Sequence, residues 1–118
     1  MNLERDPALD RMEKHAHNRE EVLSFIGASL RDGANDAAEG RLESIVFDDG
    51  KGHHVEHPIS KDEAESIERS MWSAHNDMVF ESLRSLIYNS LVEAGFDLEN
   101  PPFDINVSLK RTEAGKSD

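Results

Sequence analysis

Between Leu9 and Leu30 the apolar positions return every third or fourth residue: Leu9, Met12, Ala16, Leu23, Ile26 and Leu30, with Arg19 interrupting the stripe and Val22 and Phe25 widening it. That period predicts a long amphipathic helix. Asp6 before Pro7 suits its start, an N-cap acceptor followed by the residue whose missing N–H costs least in the first turn. Gly33 suits its stop. Asn18 and Glu21 have the spacing of a second cap, so a break at Asn18 competes with one continuous helix. Asp32 to Gly40 has no apolar period and reads as a loop.

Arg41–Phe47 and His53–Ile59 flank Asp48-Asp49-Gly50-Lys51-Gly52, whose residues tolerate positive φ, and together they predict a β-hairpin. A five-residue loop pairs Phe47 with His53, Ile45 with Val55 and Arg41 with Ile59. A tighter Asp49-Gly50 turn puts Leu42 and Val46 on the face of Val55, so two registers remain open.

Ser60-Lys61-Asp62-Glu63 is a capping box with acids in the first turn, where the helix dipole favours them. Ala64, Ile67, Met71, Ala74 and Met78 follow at helical spacing, and Phe80, Leu83, Ile87, Leu91 and Ala94 continue on a rotated stripe. The phase slips at His75-Asn76-Asp77, so residues 61–94 form either one long helix or two meeting at that polar triplet. Gly95 ends the helix. After Pro101-Pro102, Phe103, Ile105, Val107 and Leu109 alternate with polar residues, the period of a half-buried strand.

The expected fold is α+β: N-terminal helix, β-hairpin, a long helix either whole or broken at the polar triplet, C-terminal strand, with a three-stranded sheet covered by helices. Residues 1–111 form one small domain and 112–118 a flexible tail. If residues 61–94 are one helix, the last strand returns parallel to the second through a right-handed crossover.

Charge changes the picture most. Twenty-five Asp and Glu oppose thirteen Lys and Arg in 118 residues, a net charge of -12. A field of that sign disfavours nucleic acid and anionic lipid as direct partners and suits a basic protein. Cysteine is absent, which removes disulfides and thiolate chemistry, and neither a leader pattern nor a membrane-length apolar run stands out. A cytoplasmic protein without cofactor is expected.

His53, His54 and His57 lie together beside Glu56, the only hint of metal chemistry. In a strand His53 and His57 share one face while His54 and Glu56 take the other, so at most two ligands converge, and a site would need His75 as well. The hairpin–helix outline with His57 at the strand end has the layout of a ββα-metal nuclease. Yet Asp48, Asp49, Glu56, Asp62, Glu63, Glu65 and Glu68 would repel the phosphodiester. No phosphate-cradling glycine loop or nucleophile elbow is present, and no enzyme is expected.

From Ser85 to Leu109 the charged residues are Glu93, Asp97, Glu99 and Asp104, with no Lys or Arg between them. These four form the candidate partner-binding patch. Trp72, off the Ile67–Met71–Ala74 stripe, is either core or a surface anchor for the partner. The expected function is an acidic protein-binding module of the inhibitor, antitoxin or immunity type. The alternative is a structural or adaptor subunit that forms a homodimer through its long amphipathic helix.

Overall fold

The computed structural model describes residues 7–72, 77–99 and 103–112. Asp6, Ala74, His75, Asn76 and the segment 113–118 lie outside the described residues. The fold is α+β, with a three-stranded antiparallel sheet backed by four helices. Helix α1 (Pro7–Asp32) leads into a short α2 (Ala34–Ala38). The hairpin strands β1 (Leu42–Asp48) and β2 (His54–Pro58) follow, then α3 (Lys61–Arg69), α4 (Met78–Ala94) and β3 (Asn106–Arg111).

Helix α1 is continuous through Asn18, whose buried side chain donates to the Glu99 carbonyl at 2.7 Å instead of capping its own chain. The Asp32–Gly40 segment, expected to be a loop, contains α2. Its short turn is held from outside: buried Asp36 accepts from Arg111 Nε at 2.6 Å and from Arg41 Nη2 at 3.4 Å. Those partners are distant in sequence or on the next strand, which explains why no local period marks the helix.

The hairpin closes through Asp49. Its N–H donates to the His53 carbonyl at 3.3 Å, and its carboxylate accepts from the Lys51 and His53 amides at 2.8 and 3.1 Å. Phe47 therefore pairs with Val55 and Ile45 with His57, two positions from the five-residue-loop register. An even slip keeps every side chain on its expected face. Ile45, Phe47 and Val55 remain on the helix side. On the opposite face Glu56 accepts from Ser44 Oγ at 2.8 Å and from Lys110 Nζ at 3.2 Å, tying all three strands together.

The sheet order is β2-β1-β3, and β3 is antiparallel to β1 with Asp48 opposite Asn106. The last strand thus has the direction of β2, but it lies on the far side of β1 rather than beside the second strand. The Thr112 N–H continues the ladder to the Arg41 carbonyl at 2.7 Å.

The described residues of 61–94 form two helices, α3 and α4. The capping box at Ser60 is complete: Glu63 N–H donates to Ser60 Oγ at 3.1 Å and Ser60 N–H to Glu63 Oε1 at 2.9 Å. Helix α3 ends where Ser70 Oγ donates back to the Ile67 carbonyl at 2.6 Å, the local competition that hydroxyl residues offer a helix. Asp77 starts α4, its Oδ1 accepting from the Val79 and Phe80 amides. It also holds α3, accepting from Ser66 Oγ at 3.0 Å and Arg69 Nε at 2.8 Å. Because α3 stops early, Met71 and Met78 are exposed rather than part of the core stripe.

The core lies between sheet and helices: Val22, Ile26 and Leu30 of α1, Ile45 and Phe47 of β1, Ile67 of α3, and Leu83, Ile87 and Leu91 of α4 are fully buried. Gly27 permits the close α1–α4 contact, since a Cβ there would stand 3.2 Å from Arg84 Cδ. None of the helices among the described residues is long and apolar enough to cross a membrane.

Candidate functional site

Helix α4 ends in a Schellman motif: the Gly95 and Phe96 amides donate to the Val92 and Leu91 carbonyls, both at 3.1 Å. Gly95 takes φ of 92°, the left-handed conformation this cap requires. Phe96 and Leu98 then turn into the core, which leaves Glu93, Asp97 and Glu99 on the outside. Asp97 Oδ1 accepts from the Glu99 N–H at 3.0 Å, and the Glu99 carbonyl is pinned by Asn18. Asp104, also exposed, lies two residues before the first of β3, at the end of the sheet where Asn106 stands opposite Asp48.

The four acids singled out in the sequence therefore gather at one pole. The fold adds to them the hairpin tip. His53 packs its ring against Phe96, centroids 5.8 Å apart, and lies 3.2 Å from where a Gly95 Cβ would stand. Asp48 and Asp49 thereby join the pole through a tertiary contact that no sequence spacing announces.

The electrostatics of the pole have three sources. Glu93, Asp97, Glu99, Asp104 and Asp48 supply formal charge; Lys51 at the hairpin tip is the cation nearest in that loop. The last turn of α4 contains no basic residue, so the partial negative charge of its carbonyl end is not offset locally. Desolvation alone would raise the Asp49 carboxyl, but bonds from the His53 ring and from the Lys51 and His53 amides outweigh it and hold the group below the usual carboxylate range.

Elsewhere cations are consumed inside the fold. Arg41, Arg69, Arg84, Lys110 and Arg111 each face an acid: Asp36 and Glu39, Asp77, Glu81, Glu56, and Asp36 again. Arg19 lies over the Tyr88 ring at 5.2 Å and Arg31 over Phe80 at 5.2 Å. The Ser44 hydroxyl first, and Lys110 next, lower the Glu56 carboxyl.

Trp72 belongs to a different surface. It is 82% exposed in the turn after α3, next to exposed Met71 in the chain, and is not core. It stands at the start of α4 whereas Glu93 stands at its end, and a helix of that length spans about 25 Å. Trp72 and the four acids are therefore not one patch. At the start of α4, Met78, Val79, Leu86 and Glu63 line an open groove of about 250 Å³.

Among the described residues, His53, His54 and His57 do not converge. His53 Nδ1 contacts Asp49 Oδ2, His54 Nδ1 is 3.8 Å from Asp48, and His57 Nε2 is 3.2 Å from Glu63. Among the described residues no group of three His, Asp or Glu side chains is placed to hold a metal, and His75 lies outside them. No protein-family model matches the chain, and neither a curated protein nor a solved structure does.

Proposed function

We propose that this chain is an acidic protein-binding module of the inhibitor, antitoxin or immunity type, which covers a basic surface of a protein partner by charge complementarity. What carries the reading is the segregation of charge. Most described cations are engaged in ion pairs or on aromatic rings within the fold. The pole at the end of α4 keeps Glu93, Asp97, Glu99 and Asp104 exposed around a helix terminus with no base of its own. Such a surface raises the encounter rate with a cationic protein and disfavours anionic partners. No catalytic role is assigned to any residue, no cofactor is invoked, and a cytoplasmic location is part of the proposal.

A second reading has its own observation. Helix α4 buries Leu83 and Ile87 but leaves Val79 and Leu86 exposed along its outer row, the face through which an adaptor subunit would pair with a second copy. The two readings respond differently to salt. For a partner recovered from host extract with the immobilised chain, the first predicts affinity that falls steeply from low to high ionic strength, because exposed charges are screened over a Debye length of about 8 Å at physiological salt. Affinity indifferent to salt would contradict it. A concentration-dependent dimer lost on Leu86→Gln would favour the second.

A further inference from the structure

Helices α1 and α4 pack antiparallel. Arg31 lies on Phe80, Gly27 abuts Arg84, Arg19 lies over Tyr88 and Asn18 reaches Glu99, so α1 passes the end of α4 at Asn18. The stretch Pro7–His17 then projects beyond the acidic pole, by about 16 Å at the helical rise per residue. None of the described side chains in that stretch is buried, and Leu9 and Met12 are 47% and 68% exposed. By helical spacing Leu9, Met12 and Ala16 continue the side of α1 that buries Leu23 and Leu30 lower down. The stripe thus runs on past the core, beyond the end of α4 that bears Glu93, on the side of α1 that meets α4 through Arg19 and Gly27.

We infer that the projecting turns of α1 and the acidic pole form a single docking surface for a cationic amphipathic helix of the partner, an assignment that rests on the protein-binding reading above. An apolar helical stripe is matched by an apolar stripe, and acids at its base are matched by Lys and Arg on the flank of the same segment. A segment lying along α1 meets Leu9, Met12 and Ala16 as a wall and Glu93, Asp97 and Glu99 at the foot. A lipid surface or a nucleic acid would meet the acids as repulsion. A second copy fits less well, because in the projecting stretch Asp10 and Glu13 balance Arg11 and Lys14, so it brings the pole no net positive charge.

The probe is a synthetic peptide of about 20 residues with Leu on one helical face and Lys on the other, set against a peptide of the same composition in shuffled order. Titrations of both against the intact chain are compared with those against Leu9→Gln/Met12→Gln and Glu93→Lys/Asp97→Lys variants. Glutamine retains helix propensity, and unchanged circular dichroism melting verifies the fold. The expected result is binding of the amphipathic peptide about tenfold tighter than the shuffled one, lost on Leu9→Gln/Met12→Gln at every salt concentration. The charge reversal should weaken both peptides, at low salt only.

Equal binding of the two peptides, or no effect of Leu9→Gln/Met12→Gln while the charge reversal still acts, overturns this inference and leaves the charge-based function standing. If neither variant alters binding, both fall. A dimer in sedimentation that Leu9→Gln/Met12→Gln dissolves would assign the stripe to a second copy and overturn the assignment as well.

Discussion

Asp77 shows how much one side chain can do. It caps α4, accepts from buried Ser66 and pairs with Arg69 of α3, so the junction of the two helices depends on its being ionised. The Arg69 guanidinium is the largest influence; together with Ser66 and the Phe80 amide it outweighs desolvation and holds the carboxyl down at about 2 from an ordinary 3.8. A depressed carboxyl stabilises the fold at pH values above its unfolded value, and that contribution is lost as the pH falls through the folded one. Asp77→Asn should therefore lower the urea midpoint at neutral pH, and the gap from wild type should close between pH 3.8 and about 2. Asp77→Ala, which removes the cap as well, should be the less stable of the two variants. A gap that persists unchanged into acid would show that the pairing with Arg69 contributes nothing. The cap at Ser60 is visible in the sequence because its partner Glu63 is three residues on; the tie from Asp77 to α3 is not, because Ser66 and Arg69 belong to another helix.

At the scale of elements, α4 divides sharply between its two faces. Leu83 and Ile87 are buried beneath the other helices and the sheet, while Leu86 is 49% exposed. Leu83→Ala or Ile87→Ala should cost about 2–5 kcal/mol in chemical denaturation. Leu86→Ala should cost well under that, and Asp97→Asn, which keeps the acceptor for Glu99 N–H, almost nothing. Equal small losses at all four positions would mean that α4 does not pack as described. Helical and strand periods made α1, the hairpin, α4 and β3 legible in sequence, since each repeats an apolar spacing over several turns or alternations. Helix α2 was not legible, being a few small residues held by Asp36 against Arg41 and Arg111. Composition leaves the hairpin register open, because two turns satisfy it equally. It is decided by the Asp49 carboxylate on the Lys51 and His53 amides. The neighbour of β3 was likewise hidden, since its own alternation is the same whichever strand it pairs with.

For the whole molecule, the candidate surface was half legible. The run of acids between Ser85 and Leu109 can be read directly, but its union with the hairpin tip depends on His53 meeting Phe96 and Gly95. Trp72 could be read as core or anchor from its spacing, and its exposure rests on α3 ending at Arg69. The central claim is that charge at the end of α4 drives association with a basic protein. Its most direct measurement is the association rate of the recovered partner with wild type, with Glu93→Lys/Asp97→Lys, and with a matched reversal of equal charge at exposed Glu43, at the other end of β1 from Asp48, and Glu65 of α3. Rim charges act mainly on association, and close charge pairs across an interface are worth about 1.5–7 kcal/mol where they are well placed. The account predicts a markedly slower association and weaker binding for the polar reversal, a small change for the matched control, and convergence of all three at high salt. Equal rates for Glu93→Lys/Asp97→Lys and wild type at low salt would contradict it.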